Sequence, residues 1–325
     1  MIIVTGGAGF IGSNLVAGLN EVGIDDILIV DNLGSVGKFK NLRGLKFLDF
    51  MEKSEFRACL EKRALAGKKV EAVFHQGACS DTLNSDGNYM MDNNYRYSMD
   101  LLHFALSGGI PFVYASSASV YGSGTRGFRE EPACEFPLNL YAFTKKLFDD
   151  YIRRILPQCG SQVVGLRYFN VFGPQEVHKG RMASMVFHAF RQIRETGKVK
   201  LFEGSGGFGP GGQKRDFLFV GDAVKVNLFF LENPGKSGIF NCGTGAARTF
   251  NDLAEAVISA MKQGSIEYIP FPEDLASQYQ NFTQADLTSL RKAGYKGEFL
   301  PLEEAVSLYV DALSKRGGYL FGEES

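Results

Sequence analysis

In the stretch "LNLYAFTKKL" (138–147), Tyr141 and Lys145 stand four residues apart, so on a helix the phenol and the ammonium leave from one face. A tyrosine hydroxyl, with a reference pKa of about 10, is a poor base, but a cation held beside it favours the phenolate. Such a pair can take a proton from an alcohol. The plainer reading of an isolated Y-x-x-x-K is a surface lysine beside a half-buried tyrosine. A second set of hydroxyls lies upstream, where the strand-like "FVYA" (112–115) runs into "SSASVYG" (116–122). Ser116 and Ser117 thereby fall at the C-terminal end of a strand, where open α/β sheets bind ligands, although serines there can also serve only local backbone bonds.

The opening "TGGAGFIG" (5–12) puts Gly6, Gly9 and Gly12 directly after a strand-like run and at the start of a helix-like one. Glycines in that place allow a tight turn and the close approach of a pyrophosphate to a helix N-terminus. Asp31, ending the next strand-like run, is the acid expected to bond the ribose hydroxyls of NAD. Asn32 follows it, however, and either ammonium of Lys38 and Lys53 could balance the 2′-phosphate of NADP. On the residues alone the choice of dinucleotide stays open.

Holding these groups together requires a frame, and the patterning supplies one. Short β-branched runs recur as "IIVT" (2–5), "ILIV" (27–30), "EAVF" (71–74), "FVYA" and "VVGLR" (163–167), with helix-like stretches between most of them. That alternation predicts an α/β fold with a doubly wound parallel sheet. The first helix, around 11–22, sets Ile11, Leu15 and Leu19 on one face, with Gly23 where a C-terminal cap belongs. Beyond about residue 168 the pattern loosens into a helix-like 182–196, a strand-like 199–202, a Gly-rich 204–213 that reads as a mobile loop, and a helix at 249–264 opening near a capping box at Thr249 and Asp252. The predicted division is a dinucleotide-binding domain at 1–169, rejoined by about 215–242, and a smaller α/β substrate lobe at 170–214 and 243–325.

Composition narrows the function. At 325 residues the chain can build one large or two modest cores. Thirty-five basic against thirty-six acidic residues, a formal net charge of -1 and no long single-sign run argue against nucleic-acid or membrane-surface binding and favour a small-molecule ligand. Cys59, Cys79, Cys134, Cys159 and Cys242 are scattered with no C-x-x-C, and so read as free thiols of a reducing compartment. His75, His103, His178 and His188 lack the spacing of a metal site, so no metal is expected. The chain enters "IIVT" at once and has no apolar run near the roughly 20 residues that cross a bilayer, which predicts a cytoplasmic protein.

"TGGAGFIGSN", "ASSASVYG", "YAFTK" and "RYFNVFGP" together resemble the extended short-chain dehydrogenase/reductase family of nucleotide-sugar enzymes, from Met1 to at least residue 315. "HQGACSDT", "YMMDNNY", "RYFNVFGPQEVHKGRMAS", "LFEGS", "KRDF" and "IEYIPFP" are similar, more narrowly, to its epimerases that act on ADP-sugars. The resemblance implies a Rossmann sheet, a catalytic Ser117, Tyr141 and Lys145, and a second acid–base group at Lys179, which without it reads as a solvated loop lysine. It implies cofactor contacts at Phe10, Ile11, Asp31, Asn32, Lys38, Lys53, Gln76, Gly77, Ala78, Cys79, Ser80 and Asn93, beside the three glycines and Lys145. It also implies NADP rather than NAD. For the ADP-sugar it implies Asn170, Val171, Arg181, His188, Phe202, Glu203, Gly204, Ser205, Arg215 and Tyr279, and for the assembly a homo-oligomer, a pentamer. Two stretches depart from the family pattern: 206–213 is longer and richer in glycine, and the tail 317–325 has no counterpart. Two other readings compete. A nucleotide-sugar dehydratase of the same family would carry Thr-Asp-Glu where this chain has Ser117, Ala118 and Ser119. A dinucleotide-sensing protein without catalysis would not need Tyr141 and Lys145.

Overall fold

The computed structural model describes residues 1–34, 37–65, 67–272 and 280–322. The chain runs β1 (Ile2–Thr5), α1 (Phe10–Glu21), β2 (Ile27–Asp31), β3 (Asp49–Glu52), α2 (Lys53–Glu61), β4 (Ala72–His75), α3 (Gly87–Met90), α4 (Tyr97–Ser107), β5 (Phe112–Ser117), α5 (Leu140–Ile155) and β6 (Val163–Tyr168). It continues with β7 (Val171–Phe172), α6 (Met185–Thr196), β8 (Lys198–Phe202), β9 (Lys214–Asp216), β10 (Leu218–Phe219), α7 (Val220–Glu232), β11 (Gly238–Cys242), β12 (Ala247–Thr249), α8 (Phe250–Met261), β13 (Ser265–Ile269), α9 (Thr288–Lys292) and α10 (Leu302–Arg316).

Strands buried on both faces need helices on both, and that is the arrangement found. Seven strands make one parallel sheet in the order β11-β6-β5-β4-β1-β2-β3. The pleat divides each strand between two cores. Ile2, Val4, Ile27 and Ile29 meet Leu15 and Leu19 of α1 and Val224 and Phe230 of α7. Ile3, Leu28 and Val30 meet Leu101 and Leu102 of α4 and Phe148 and Ile152 of α5 on the other side. Gly18 is what lets α1 and α7 close, since a Cβ there would collide with Val224 Cγ1.

A third apolar cluster lies apart from the sheet. Phe187 and Phe190 of α6 pack with Leu253 and Val257 of α8 and with Tyr309 and Leu313 of α10, above the parallel pair β8–β13. The capping box expected at the start of α8 is present, with Thr249 and Asp252 each bonding the other's backbone N–H. The Gly-rich 204–213 has no regular element, but it is folded rather than loose. A Cβ on Gly204 would collide with Phe208 O, and one on Gly211 with Asn251 Oδ1. Its glycines therefore serve close packing.

The strand order reverses between β1 and β4, so their C-terminal ends flank the crevice where such sheets take ligands. His75, at the end of β4, braces this place, with Nδ1 2.6 Å from Thr5 Oγ1 and Nε2 2.8 Å from Ser98 Oγ. Burial, aided by the Lys145 ammonium, lowers its pKa from 6.5 to about 3, so the ring stays neutral. The unfolded chain takes up this proton below pH 6.5 and the folded chain only near pH 3. This group's stabilisation is therefore complete above pH 6.5 and is lost on acidification down to about pH 3. The expected loss is roughly 5 kcal/mol. Denaturant titrations should show a shallower acid slope in His75→Gln, and an unchanged slope would count against this origin.

Candidate active site

The dinucleotide end is shaped by atoms that leave no room for side chains. Gly6 has φ +69°, and a Cβ on it would stand 2.6 Å from Gly77 N; one on Gly12 would collide with Gly6 O. The turn therefore lies flat against the backbone of Gln76 and Gly77, beside the N-terminus of α1. Such a cradle fits a pyrophosphate, which the free N–H groups and the helix dipole stabilise. Asp31 closes the turn from β2 by accepting Ala8 N at 2.9 Å and Asn32 N at 2.7 Å. Its Oδ1 also pairs with Lys38 Nζ at 2.5 Å, so this acid carries its own counter-ion. Lys53 Nζ donates to Asn93 Oδ1 at 2.5 Å. Asn93 and Asn94 sit in a π-helical turn, Met91–Arg96, that joins α3 to α4. Such wide turns are frequent at functional sites, and this one buries both amides. Asn94 clamps Cys79 through both backbone groups at 2.8 and 2.9 Å. The sequence reading assigned Asn93 and gave Asn94 no role.

The end of the site that carries Tyr141 and Lys145 is set by β5 and α5. Asn139 caps α5 by accepting Ala142 N at 2.9 Å, which starts the helix at Leu140, one residue before Tyr141. Lys145 reaches across to Ala115 O at 2.7 Å, and its Nζ lies 6.0 Å from the Tyr141 ring centroid. Burial lowers Lys145 to about 8, against the pull of Asp149. Burial raises the Tyr141 phenol, and its hydrogen bond with Ser117 draws it back. Both serines line the cavity, but their hydroxyls differ: Ser116 Oγ donates to Asp149 Oδ2 at 2.9 Å, while Ser117 hydrogen-bonds with Tyr141.

Beneath this face lies a buried charge network that sequence reasoning missed. Arg167 of β6, 0 % exposed, donates to Asp149 Oδ2 from Nε at 2.9 Å and to Glu135 Oε1 from Nη2 at 2.5 Å. Tyr114 OH also donates to Asp149 Oδ1 at 2.9 Å. One cation between two carboxylates satisfies a charge that could not otherwise be buried, and it locks α5 to β5 and β6 one turn past Lys145. The available signal was an arginine inside the apolar run "VVGLRYF", which demands buried acids.

One cavity of about 650 Å³ unites most of the candidates. It is lined by all the cofactor candidates, Gly6, Gly9, Phe10, Ile11, Gly12, Asp31, Asn32, Lys38, Lys53, Gln76, Gly77, Ala78, Cys79, Ser80, Asn93 and Lys145. Ser117, Tyr141, Lys179, Asn170 and Val171 line it as well. Lys179 enters from the turn after β7, its Nζ 5.2 Å from the Phe10 ring centroid; burial lowers its pKa, against Glu176. Among the described residues four lysines face the cavity, Lys38, Lys53, Lys145 and Lys179, and a single carboxylate, Asp31. That balance suits an anionic ligand at both ends.

Other candidates stand outside this cavity. Arg181, with a side chain 69% exposed, pairs with Asp81 at 3.0 Å. His188 Nε2 lies 3.2 Å from Arg181 O. Phe202 packs on Phe271, Glu203 N donates to Ile269 O, and Ser205 Oγ donates to Asn281 Oδ1. Gly204 lies between them on the loop packed under Phe208. Arg215 is buried over the Phe250 ring, and Phe250 itself lines the cavity. Tyr279 lies outside the described residues. Tyr97, His178 and Gln280 line the cavity without having been singled out. Among the described residues no cluster of His, Cys, Asp and Glu is placed to hold a metal, and no helix is long and apolar enough to cross a membrane.

A glycine-cradled helix N-terminus at the switch point, with a Ser, Tyr and Lys beside it, defines a nicotinamide-dinucleotide enzyme. The chain belongs to the NAD dependent epimerase/dehydratase family, whose model matches residues 2–243. ADP-L-glycero-D-manno-heptose-6-epimerase of Brachyspira hyodysenteriae is 55% identical to it over 322 residues, 98% of this chain and 100% of that protein. The crystal structure of the Helicobacter pylori ADP-L-glycero-D-manno-heptose-6-epimerase superposes with a TM-score of 0.82 at 32% identity, covering 96% of each chain. UDP-glucose 4-epimerase of Thermotoga maritima, solved with UDP-glucose, superposes at 0.80 with 28% identity over 97% of this chain and 98% of that one.

Proposed function

We propose that this protein converts ADP-D-glycero-D-manno-heptose to ADP-L-glycero-D-manno-heptose by inverting C6 through a transient 6-ketone. The near full-length likeness to the Brachyspira and Helicobacter enzymes supports the substrate. The observation that carries the reaction is that two proton-exchanging groups on separate elements, Tyr141 and Lys179, line one cavity with the dinucleotide turn. Gly6, Gly9, Gly12 and the Gln76–Gly77 backbone would hold a nicotinamide dinucleotide, which would supply a reversible hydride acceptor for C6. Tyr141 takes or gives the hydroxyl proton on one face, Ser117 orients the sugar oxygen, and Lys145 favours the phenolate. Lys179 exchanges the proton at the other oxygen position.

The division of labour follows the same reading. Residues 1–169, with about 215–242, hold the dinucleotide, and 170–214 with 243–325 hold the sugar, with Asn170, Val171, Arg181, His188, Phe202 to Ser205, Arg215 and Tyr279 as contacts. A guanidinium at 215 suits the bidentate grip a diphosphate needs. The protein is proposed to act in the cytoplasm as a homo-oligomer, a pentamer by resemblance, and to supply the heptose donor of the lipopolysaccharide inner core.

NADP is the proposed dinucleotide, retained through the cycle because the enzyme reduces what it has just oxidised. Lys38 already neutralises Asp31, and the Lys53 ammonium keeps two donors beyond its bond to Asn93. A charge-assisted bond to the 2′-phosphate contributes about 1.5–3 kcal/mol. Lys53→Ala should therefore weaken NADP roughly 10–100-fold and NAD little, measured by titration of the emptied protein. Equal loss for both would remove Lys53 from the phosphate.

The test of the reaction is incubation with the D-glycero epimer, followed by separation of the products. The L-glycero epimer is expected. A product lighter by one water would favour a dehydratase, which the site argues against: Asp31 is the only described carboxylate lining the cavity, and Ser117 is followed by Ala118 and Ser119.

A further inference from the structure

The turn that carries Lys179 has little regular structure to hold it. Residues 177–182 form a distorted 3-10 stretch interrupted at Gly180. Side-chain amides from the nucleotide-binding part of the chain hold it instead. Asn14 Nδ2 of α1 donates to Pro174 O at 3.0 Å. Asn41, wholly buried in the short 3-10 turn Lys38–Leu42, donates from Nδ2 to Ala8 O in the glycine turn and to Gln175 O, both at 3.0 Å. Gln175 Nε2 answers by donating to Asn41 O at 2.9 Å. Two carbonyls face Asn41 Nδ2, so the opposite amide orientation would set oxygen against oxygen. His178 Nδ1, 3.1 Å from the same nitrogen, completes the contact. Gln175 also holds φ +76°, a backbone conformation that a non-glycine residue keeps only where its surroundings impose it, and its N–H is tied to Gly318 O at 2.7 Å.

We propose that Asn41 and Gln175 form a clasp that positions Lys179: their reciprocal amide bonds fasten the turn bearing it to the glycine turn of the dinucleotide, so the ammonium keeps its place beside the reactive carbon. The proposal rests on the second acid–base role given to Lys179. Tyr141 is fastened separately, through Lys145 on Ala115 O and Asp149 on Arg167. Loosening the clasp therefore disturbs one catalytic face and leaves the other.

Asn41→Leu and Gln175→Met are close in size to the native residues and cannot donate. Each is compared in the full-length protein with wild type and with Lys179→Met. The readouts are interconversion of the two ADP-heptose epimers, dismutation of a C6-aldehyde analogue, which needs one working face, and retention of the dinucleotide. A displacement of about 1 Å costs up to about 10² in rate, so kcat for epimerisation should fall roughly 10–100-fold with little change in KM. Dismutation per bound dinucleotide should stay within about twofold in both variants, and dinucleotide retention in Gln175→Met, which leaves the Asn41 bond to Ala8 O in place. Parallel loss of both reactions, loss of the dinucleotide in Gln175→Met, or unchanged epimerisation overturns the clasp. Full epimerisation by Lys179→Met overturns the role of Lys179 itself, a result read in a protein whose clasp is intact and so separable from failure of the clasp. If Asn41→Leu does not fold, Gln175→Met, which removes one donor, decides.

Discussion

Tyr141→Phe is expected to lower turnover of ADP-heptose by about 10²–10⁴-fold while leaving its binding nearly intact, the usual worth of one positioned proton transfer. The substitution deletes a single oxygen. That oxygen hydrogen-bonds with Ser117, and Lys145 Nζ lies 6.0 Å from the ring centroid. Nothing else in the frame depends on it: α5 keeps its cap at Asn139, the Lys145 bond to Ala115 O and the buried Asp149–Arg167 pair. Burial by itself holds the phenol protonated, so the hydroxyl works as a base only with cationic help. Turnover and equilibrium binding of the ADP-sugar, measured on protein shown to be folded, separate the two effects. Wild-type turnover in the phenylalanine variant would end the assignment.

Lys179→Met should abolish epimerisation as completely. Inversion requires hydride to leave one face of C6 and return to the other. C6 lies outside the pyranose ring, so the ketone can reverse its faces by a turn about one carbon–carbon bond, and its oxygen then lands in a new place. Tyr141, fixed on α5, cannot come within about 2.6–3.2 Å of two well-separated oxygens. A second group must serve, and Lys179 enters the same cavity from another element. Burial lowers its pKa, which brings an ammonium nearer to the range where it exchanges a proton. Methionine keeps the length of the side chain and removes the charge. Both variants should still dismutate a C6-aldehyde analogue, since that reaction uses one face. Near wild-type interconversion of the epimers by Lys179→Met would refute the two-group scheme.

Much of the frame was legible because its signals are local. The β-branched runs at 2–5, 27–30, 71–74, 112–115 and 163–167 all lie in the sheet, shifted at most by a residue or two at their ends. Two strands of the seven-stranded sheet escaped notice. β3 is a short, half-exposed edge strand whose "DFME" has no apolar run, and β11 is read as a strand only once β6 is there to pair with it. The Gly-rich 204–213 misled in the other direction, because composition reports conformational freedom and says nothing of the Phe208 and Asn251 atoms packed against those glycines. The tail after α10, without a counterpart in the family pattern, acquires a place: Gly318 O accepts Gln175 N in the loop before Lys179.

Residue types and their spacing were enough to set out the chemistry on offer. Glycines at 6, 9 and 12, an acid at 31, a phenol and an ammonium one helical turn apart, and serines at a strand end are written as residue types at short spacings, and short spacing fixes geometry wherever the local element is regular. Tertiary structure alone decided which of these groups meet. It tied the Ser116 hydroxyl to Asp149 and set the Ser117 hydroxyl against Tyr141, gave Asp31 its counter-ion in Lys38, and brought Lys179 from a distant turn to the cavity that Tyr141 lines. It also kept Arg181 on the surface with Asp81. The reason is physical: contacts between residues on different elements depend on the strand order and on which side chains can be buried together, and no local pattern encodes either.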